Sequence, residues 1–247
     1  MHQLSLSISQ DKSKWLIPNK ALLNNIKKID GIFAQQIVND RVIYCYACED
    51  EYKNILESNI VDYLIELYLT NVKKEYIKKS IKVTTEYYNI LISILTGFDR
   101  ESEEKLLRKI IVLGGDYSID GYFYFRLQEL IERWGEICAL AKENAFFFSN
   151  KETLLELIRF LMSTIKPKID KVIVSRGDKF VFDILAPDNF VIASFDDPDE
   201  LLLHLIDIAP LEISLIGDIL PKEQTKLLSN IFEEKFSNNT IIIPKQS

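Results

Sequence analysis

Cys45 and Cys48 are the residue pair whose spacing points most directly to chemistry. The Cys-x-x-Cys pattern is typical of redox and zinc sites, and here it lies between a predicted strand and a predicted helix, as in a thioredoxin-like fold. A zinc ion needs four ligands, and the remaining soft ones, Cys138, His2 and His204, are isolated from one another in the sequence. We therefore interpret both thiols as ordinary strand-end cysteines, with a redox pair as the alternative.

An acidic run made of Asp196, Asp197 and Asp199 precedes an apolar helical segment. Carboxylates in a loop can hold magnesium or calcium. The same residues also suit the first turn of a helix, where a side chain caps free N–H groups and negative charge favours the helix dipole. The loop lacks the glycine and the spaced acids of a calcium hand, so we favour capping. We expect neither a metal ion nor another cofactor.

Arg126 is the charged residue that the sequence singles out, because it follows an aromatic cluster inside a predicted central helix. A guanidinium in such a place needs a carboxylate, such as Asp170 or Asp183, or a ligand. We interpret it as half of a buried ion pair. The alternative is an enzyme or small-ligand-binding protein whose polar pocket lies near Arg126, Lys168 and Asp170. The chain has two histidines and no carboxylate pair that spacing distinguishes, so we assign no catalytic residue.

Residues 118–148 are predicted to form one long helix that organises the chain. Their apolar residues recur at steps of three and four and mark one buried stripe: Ile119, Phe123, Leu127, Leu130, Trp134, Ile137, Cys138, Ala141 and Ala145. Ser118 is the predicted N-cap, and Gly121 suggests a close backbone contact. Tyr122 and Phe125 lie off the stripe, so this end is predicted to make contacts on a second side as well.

Residues 120–127 read Asp-Gly-Tyr-Phe-Tyr-Phe-Arg-Leu, which resembles the Gly-Phe…Phe-Arg-Leu signature of the bacterial sporulation-associated YtxC family. Residues 166–174, with Pro-Lys-Ile-Asp and a strand, and residues 199–210, an apolar helix ending in Ala-Pro, are similar to two later motifs of that family. The three motifs keep the family's order over about residues 115–235. The chain departs from the family in lacking its cysteine-bearing tail. The resemblance implies a cytoplasmic protein of a spore-forming bacterium, in a family without an established biochemical activity.

The overall charge disfavours nucleic acid as a partner. The formal net charge is −7 and the isoelectric point is near 5.1, whereas phosphate binding normally uses a basic face. The basic residues concentrate in one cluster: Lys73, Lys74, Lys78, Lys79 and Lys82. We interpret this cluster as a solvated face near a helix C-terminus, with a patch for an acidic partner or an anionic membrane surface as the alternative.

Neither an export signal nor a membrane span is predicted. The first residues lack a basic region followed by an apolar core, and no apolar run approaches the roughly 18 residues that a span needs. Three cysteines without a secretion signal indicate a reducing compartment. We therefore expect a cytoplasmic protein.

The periodicity predicts an α+β fold in three regions. Residues 1–80 form a small α/β unit with a long helix, residues 81–166 a helical bundle, and residues 167–247 a mixed-sheet α+β domain. In the last region, strands at 172–174 and 180–184 are expected to pair as a hairpin. Strands at 212–216 and 240–243, with a helix over 222–236 between them, are expected to form a parallel crossover.

The sequence favours a non-catalytic interaction or assembly protein, because it offers no catalytic set and its resemblance residues are mostly aromatic. We therefore expect a protein partner or self-association. The candidate ligand or partner residues are Tyr122, Phe125, Arg126, Lys168 and Asp170.

Overall fold

Two mixed β-sheets with helices packed against them make this an α+β protein, as predicted. The computed structural model describes residues 1–17, 20–82, 87–144, 150–177 and 181–239. The chain divides into two compact units, Met1–Lys82 with Asp99–Lys142, and Val83–Phe98 with Glu143–Ser247. The structure thus divides the chain differently from the three predicted regions, because the helices of residues 81–166 are shared between the two units and each covers the apolar surface of its own unit.

The bounds of the elements follow the sequence signals for capping and periodicity. The described strands are β1 (His2–Ser9), β2 (Ile32–Val38), β3 (Arg41–Cys48), β4 (Asp116–Ser118), β5 (Lys171–Arg176), β6 (Phe182–Leu185), β7 (Val191–Phe195), β8 (Glu212–Ile216) and β9 (Phe236–Asn239). The described helices are α1 (Lys20–Lys28), α2 (Lys53–Leu67), α3 (Lys73–Ser80), α4 (Tyr88–Gly97), α5 (Arg100–Ile110), α6 (Ile119–Arg126), α7 (Gln128–Glu143), α8 (Lys151–Thr164), α9 (Pro198–Ile208) and α10 (Lys222–Phe232).

The first unit is built on a sheet with the strand order β2-β3-β1-β4. Strand β1 alternates apolar and polar residues, so Leu4, Leu6 and Ile8 are buried under the helices while the intervening serines lie on the other face. Strand β3 pairs antiparallel with β1 and with β2, and β4 pairs parallel with β1. The core of this unit lies between the sheet and α1, α2 and α6.

Strands β2 and β4 are absent from the sequence-based prediction. A two-residue turn, Asn39 and Asp40, joins β2 to β3, and both residues have positive φ, as the hairpin turn with matching twist requires. Asparagine and aspartate tolerate this conformation best among residues with a side chain. This pair was therefore an available signal for the hairpin.

The second unit is built on a sheet with the order β7-β6-β5-β8-β9. The hairpin of β5 and β6 is confirmed, and β8, α10 and β9 form the predicted parallel crossover. The helix of the crossover ends at Phe232, earlier than predicted, and β9 begins at Phe236; residues 240–243 lie outside the described part of the chain. Helices α4, α8, α9 and α10 pack on one another within this unit.

The predicted long helix of residues 118–148 is two helices, α6 and α7, separated at Leu127. The carbonyl of Tyr124, which the backbone N–H of Gln128 would reach in a continuous helix, instead accepts a hydrogen bond from the Gln128 side chain. The carbonyl of Leu127 then accepts the first bond of α7, from the N–H of Ile131. The predicted stripe survives the break, since its residues are buried or half-buried through Ala141; Ala145 is outside the described residues.

The long helix predicted in the first region is confirmed. Helix α2 joins α3 by a wider π turn, Tyr68–Val72. Such a turn holds one residue more than an α-turn, so it rotates the residues that follow by about 100°. In the described part of the chain, no helix is long and apolar enough to cross a membrane.

Candidate functional site

Four aromatic side chains from three segments of the first unit meet beside α6. The ring of Trp15, at the end of a 3₁₀ turn, lies edge-on to Phe123 with the centroids 5.3 Å apart, and 6.3 Å from Tyr124. Offset and edge-to-face geometries of this kind stabilise a cluster beyond simple burial. Tyr76 of α3 approaches the same place from the other side.

An open groove of about 360 Å³ runs along this cluster. We call it the aromatic groove and define it by the residues that line it: Trp15, Val72, Glu75, Tyr76, Lys79, Phe123, Tyr124, Gln128 and Ile131. Its size falls within the range of pockets that bind small molecules or anchor side chains. Most of its wall is aromatic or aliphatic, with polar groups at the edge.

The floor of the aromatic groove is held by Trp134, whose ring lies 5.6 Å from Tyr76 and 6.0 Å from Phe123. The indole N–H of Trp134 donates to Glu103 at 2.9 Å, and Lys73 donates to both oxygens of Glu103. Lys73 and Glu103 are completely buried. The interpretation of Lys73 as part of a solvated lysine face is therefore wrong, because the π turn before it rotates this residue into the core.

Burial opposes both charges of this pair. It lowers the pKa of Lys73 and raises the pKa of Glu103, even though their mutual attraction acts in the opposite direction on each. The pair therefore fixes the relative positions of α3, α5 and α7 more than it adds net stability. The buried pair thereby fixes the positions of α3 and α7, which line the aromatic groove.

The indole of Trp15 keeps an unused hydrogen-bond donor. The residue retains 3% of its surface exposed, and none of the described residues accepts a hydrogen bond from its Nε1. A buried donor without an acceptor costs about 1–3 kcal/mol. Because Nε1 itself has almost no exposed surface, this cost belongs to the packing of Trp15 and not to the surface of the groove.

The rim of the aromatic groove carries a charged triplet. Glu75 lies between Lys14, at 2.9 Å, and Lys79, at 2.8 Å, and both ammonium groups are largely exposed. Burial alone would raise the pKa of Glu75, but the hydrogen bonds from the two lysines lower it. One carboxylate between two lysines leaves this part of the rim positive.

Of the predicted site residues on α6, Phe125 and Arg126 are exposed. The Phe125 side chain is 81% exposed, and the neighbouring Tyr124 is 48% exposed. Tyr122 instead supports the fold: its ring stacks on Tyr117 at 4.5 Å, and its hydroxyl donates to the carbonyl of Ile110 at 2.5 Å.

Arg126 is exposed, so its interpretation as half of a buried ion pair is wrong. Helix α6 ends at this residue. Among the described residues no carboxylate lies within ion-pair distance of it. The buried ion pair of the first unit belongs to Lys73 and Glu103 instead.

Lys168 and Asp170 are exposed residues of the second unit, at the start of β5. Their backbones join neighbouring segments: the Lys168 N–H donates to the Ile208 carbonyl, and the Asp170 carbonyl accepts from the Glu212 N–H. Arg126 belongs to the first unit. The joint site predicted for these three residues stays a prediction.

A second, larger cleft of about 550 Å³ lies within the second unit. It is lined by residues from the four described helices of that unit: Tyr87, Asn89, Ile90, Lys151, Leu155, Asp199, Leu202, Leu203, Glu223, Gln224, Lys226, Leu227 and Asn230. Neither this cleft nor the aromatic groove is lined by Arg126, Lys168 or Asp170. The second unit therefore contains a cleft of mixed polar and apolar lining, and of the residues that the sequence singled out it includes Asp199.

The cysteine pair and the acidic run, the two sequence patterns that could have formed chemical sites, have structural roles instead. Cys45 and Cys48 lie three residues apart on β3, so their side chains point to opposite faces of the sheet, and both thiols are free. The carboxylate of Asp197 accepts the N–H of Asp199 at 3.0 Å and caps α9, as predicted. Within the described ranges, no three histidine, cysteine or acidic residues are grouped as metal ligands.

No protein-family model, no curated protein and no solved structure matches the chain. The resemblance to the YtxC family therefore stays a prediction that rests on the three motifs. The first of these motifs, residues 120–127, forms α6 and places Phe123 and Tyr124 in the aromatic groove. Trp15 was missed, although it is one of only two tryptophans and follows a polar stretch between a strand and a helix.

Proposed function

We propose that this chain is a cytoplasmic, non-catalytic interaction or assembly protein that binds a partner protein through the aromatic groove. One observation carries the proposal: α6 leaves the large rings of Tyr124 and Phe125 exposed beside an open, mostly apolar groove. Exposed aromatic residues next to a pocket are typical of the anchoring points of protein interfaces. The resemblance to a sporulation-associated family also supports an assembly role.

The groove favours a partner segment with a particular chemistry. An apolar side chain would fill the space between Trp15, Tyr76 and Phe123. The lysines of the rim favour a segment that carries negative charge.

Site-specific photo-crosslinking in cells tests the proposal. A photoreactive phenylalanine replaces Phe125 in one variant and Phe160 in the control, which is a 62% exposed phenylalanine of α8 in the second unit. The expected result is a discrete crosslinked species from position 125 that is missing from position 160. Tyr124→Ala, which removes an exposed ring from the wall of the groove, should weaken the crosslink at 125. No adduct at 125, or the same adducts at both positions, would contradict the proposal.

A small-ligand role is the second candidate, favoured by the cleft of the second unit. Two lysines, Lys151 and Lys226, and two carboxylates, Asp199 and Glu223, face a space of a size that fits a small polar molecule. A thermal-shift screen with small carboxylates, phosphates and amino acids tests it. A hit must be lost in Lys226→Ala and kept in Lys222→Ala, whose lysine lies in the same helix but not in the cleft. A screen without any such hit removes this candidate.

A further inference from the structure

Strand β2 leaves one edge of the first sheet unpaired. It is the terminal strand of the order β2-β3-β1-β4, and among the described strands only β3 pairs with it. Every second residue of an edge strand directs its N–H and C=O groups away from the sheet, where another strand can take them. Six of the seven residues of β2 are exposed, so this edge is open.

The composition of β2 does nothing to prevent pairing. Natural edge strands are usually protected by charged residues, proline or a bulge. Residues 32–38 read Ile-Phe-Ala-Gln-Gln-Ile-Val, with no charge, proline or glycine, and the pairing with β3 runs without a bulge. Ile32 is 63% exposed and Ile37 is 61% exposed, although both are large and apolar. An edge with this composition favours association with another strand.

We propose that two copies of this chain associate by antiparallel pairing of their β2 strands, with a two-fold axis at Gln35. A closed two-fold dimer uses the same patch on both copies, so the patch must be complementary to itself. In this register each residue faces the one equally far from Gln35. Ile32 therefore faces Val38 of the second copy, and Phe33 faces its Ile37. The pairing joins the four-stranded sheet of one copy to the same sheet of the other copy, which gives one continuous sheet.

The two faces of the strand explain this register. Phe33 and Ile37 lie opposite Tyr46 and Val42 of β3, which are buried on the face covered by helices. Ile37 is nevertheless exposed, because the sheet extends beyond its helices at this end. A two-fold axis perpendicular to the sheet keeps that face on the same side in both copies, so Phe33 of one copy covers Ile37 of the other. Ile32 and Val38 cover each other on the opposite face.

The absence of charge along β2 fits a second copy as the occupant. The whole length of β2 is uncharged, so two such strands meet without like-charge repulsion inside the ladder. Repulsion arises only just beyond its ends, where Asp30 of one copy lies opposite Asp40 of the other. Salt screens that contact. The association is independent of the aromatic groove, which is formed by α3, α6, α7 and the turn at Trp15.

A charge-swap experiment tests the proposal, because position 35 faces itself only if the axis lies there. Sedimentation equilibrium over micromolar to millimolar concentrations should show a dimer for the wild type and for Phe125→Ser. Gln35→Lys and Gln35→Glu should each shift the dissociation constant up by about tenfold or more, because like charges then lie directly opposite. An equimolar mixture of the two should restore the dimer. The matched pair Gln36→Lys and Gln36→Glu should gain much less on mixing, since residue 36 faces Ala34.

Thermal melts followed by circular dichroism verify that these variants fold, which an exposed glutamine allows. A wild type that is monomeric at every concentration would overturn the proposal. A dimer that Gln35→Lys does not weaken, or one that the mixture does not restore, would equally overturn it. If the β2 edge captures a strand of another protein while the chain itself stays monomeric, the proposal of self-pairing is overturned as well.

Discussion

Lys73 donates to both carboxylate oxygens of Glu103, each at 2.8 Å, and neither side chain has any exposed surface. Removing two charges from water costs several kcal/mol for each ion, and only good geometry with further hydrogen bonds offsets that cost. Here Trp134 supplies one such bond to Glu103. The three residues come from α3, α5 and α7, so the pair specifies how these helices meet beneath the aromatic groove.

Removing one member of this pair should destabilise the protein far more than removing both. Lys73→Met or Glu103→Gln alone leaves the other group without its partner in the core and should lower the free energy of unfolding by about 3–5 kcal/mol. The double variant should recover much of that loss, since no buried charge remains unpaired. Urea unfolding followed by circular dichroism measures all four proteins. Strictly additive losses would show that the two side chains do not interact.

The Asp120 carboxylate should make the free energy of unfolding depend on pH in the acid range. Burial alone would raise its pKa, but hydrogen bonds from Arg41 and Ser9 lower it to about 2. An unfolded aspartate titrates near 3.9, so the folded state favours the charged form. The resulting stabilisation, about 2 kcal/mol, is complete above pH 5 or so and is lost as the pH falls toward 2.

The measurement is the difference in unfolding free energy between the wild type and Asp120→Asn across that pH range. The difference should shrink steadily on acidification. Asp116→Asn is the matched control, because Asp116 is an exposed aspartate of the same segment. A wild-type advantage over Asp120→Asn that does not change between neutral pH and pH 2 would contradict the prediction.

Gly121 should tolerate alanine only when its cap is removed. The N–H of Gly121 donates to the Ser118 hydroxyl at 3.2 Å, and a Cβ at position 121 would lie 2.8 Å from that same oxygen. Alanine normally gains about 1 kcal/mol over glycine within a helix. Here displacement of the cap should cancel that gain, since a lost cap costs about 1 kcal/mol.

A double-mutant cycle separates the two effects. Gly121→Ala should be neutral or destabilising in the wild type and stabilising in a Ser118→Ala background, as measured by thermal unfolding. The same gain in both backgrounds would mean that the serine can move aside without loss. The presence of glycine at position 121 would then need an explanation other than close contact with Ser118.

The three thiols should differ in reactivity without forming a bond. Cys45 is half-buried, whereas Cys48 and Cys138 are buried and burial raises the pKa of each thiol. In the native protein Cys45 should therefore react first with iodoacetamide. Residues three apart on a strand have Cα atoms about 10 Å apart, too far for a disulfide. Mass spectrometry after mild oxidation should find no Cys45–Cys48 bond; its formation would support the redox interpretation.

The predictable part of the fold is the part that local periodicity controls. The strand of residues 4–8, the hairpin of β5 and β6, and the parallel crossover each follow from alternation, turn residues and spacing. The caps Ser118 and Asp197 were also predictable, because a cap needs only a short polar side chain before an apolar run. Of the residues that line the aromatic groove, the sequence indicated only those on α6.

What the sequence by itself determined is which faces are apolar and where the chain turns, since both follow from side chains a few residues apart. Tertiary structure decided the rest. The π turn rotates Lys73 into the core against Glu103, a residue 30 positions away, and Arg126 and Phe125 are exposed where α6 ends. Trp15 joins Phe123 across more than a hundred residues. Such contacts depend on the packing of remote segments, which no local pattern encodes.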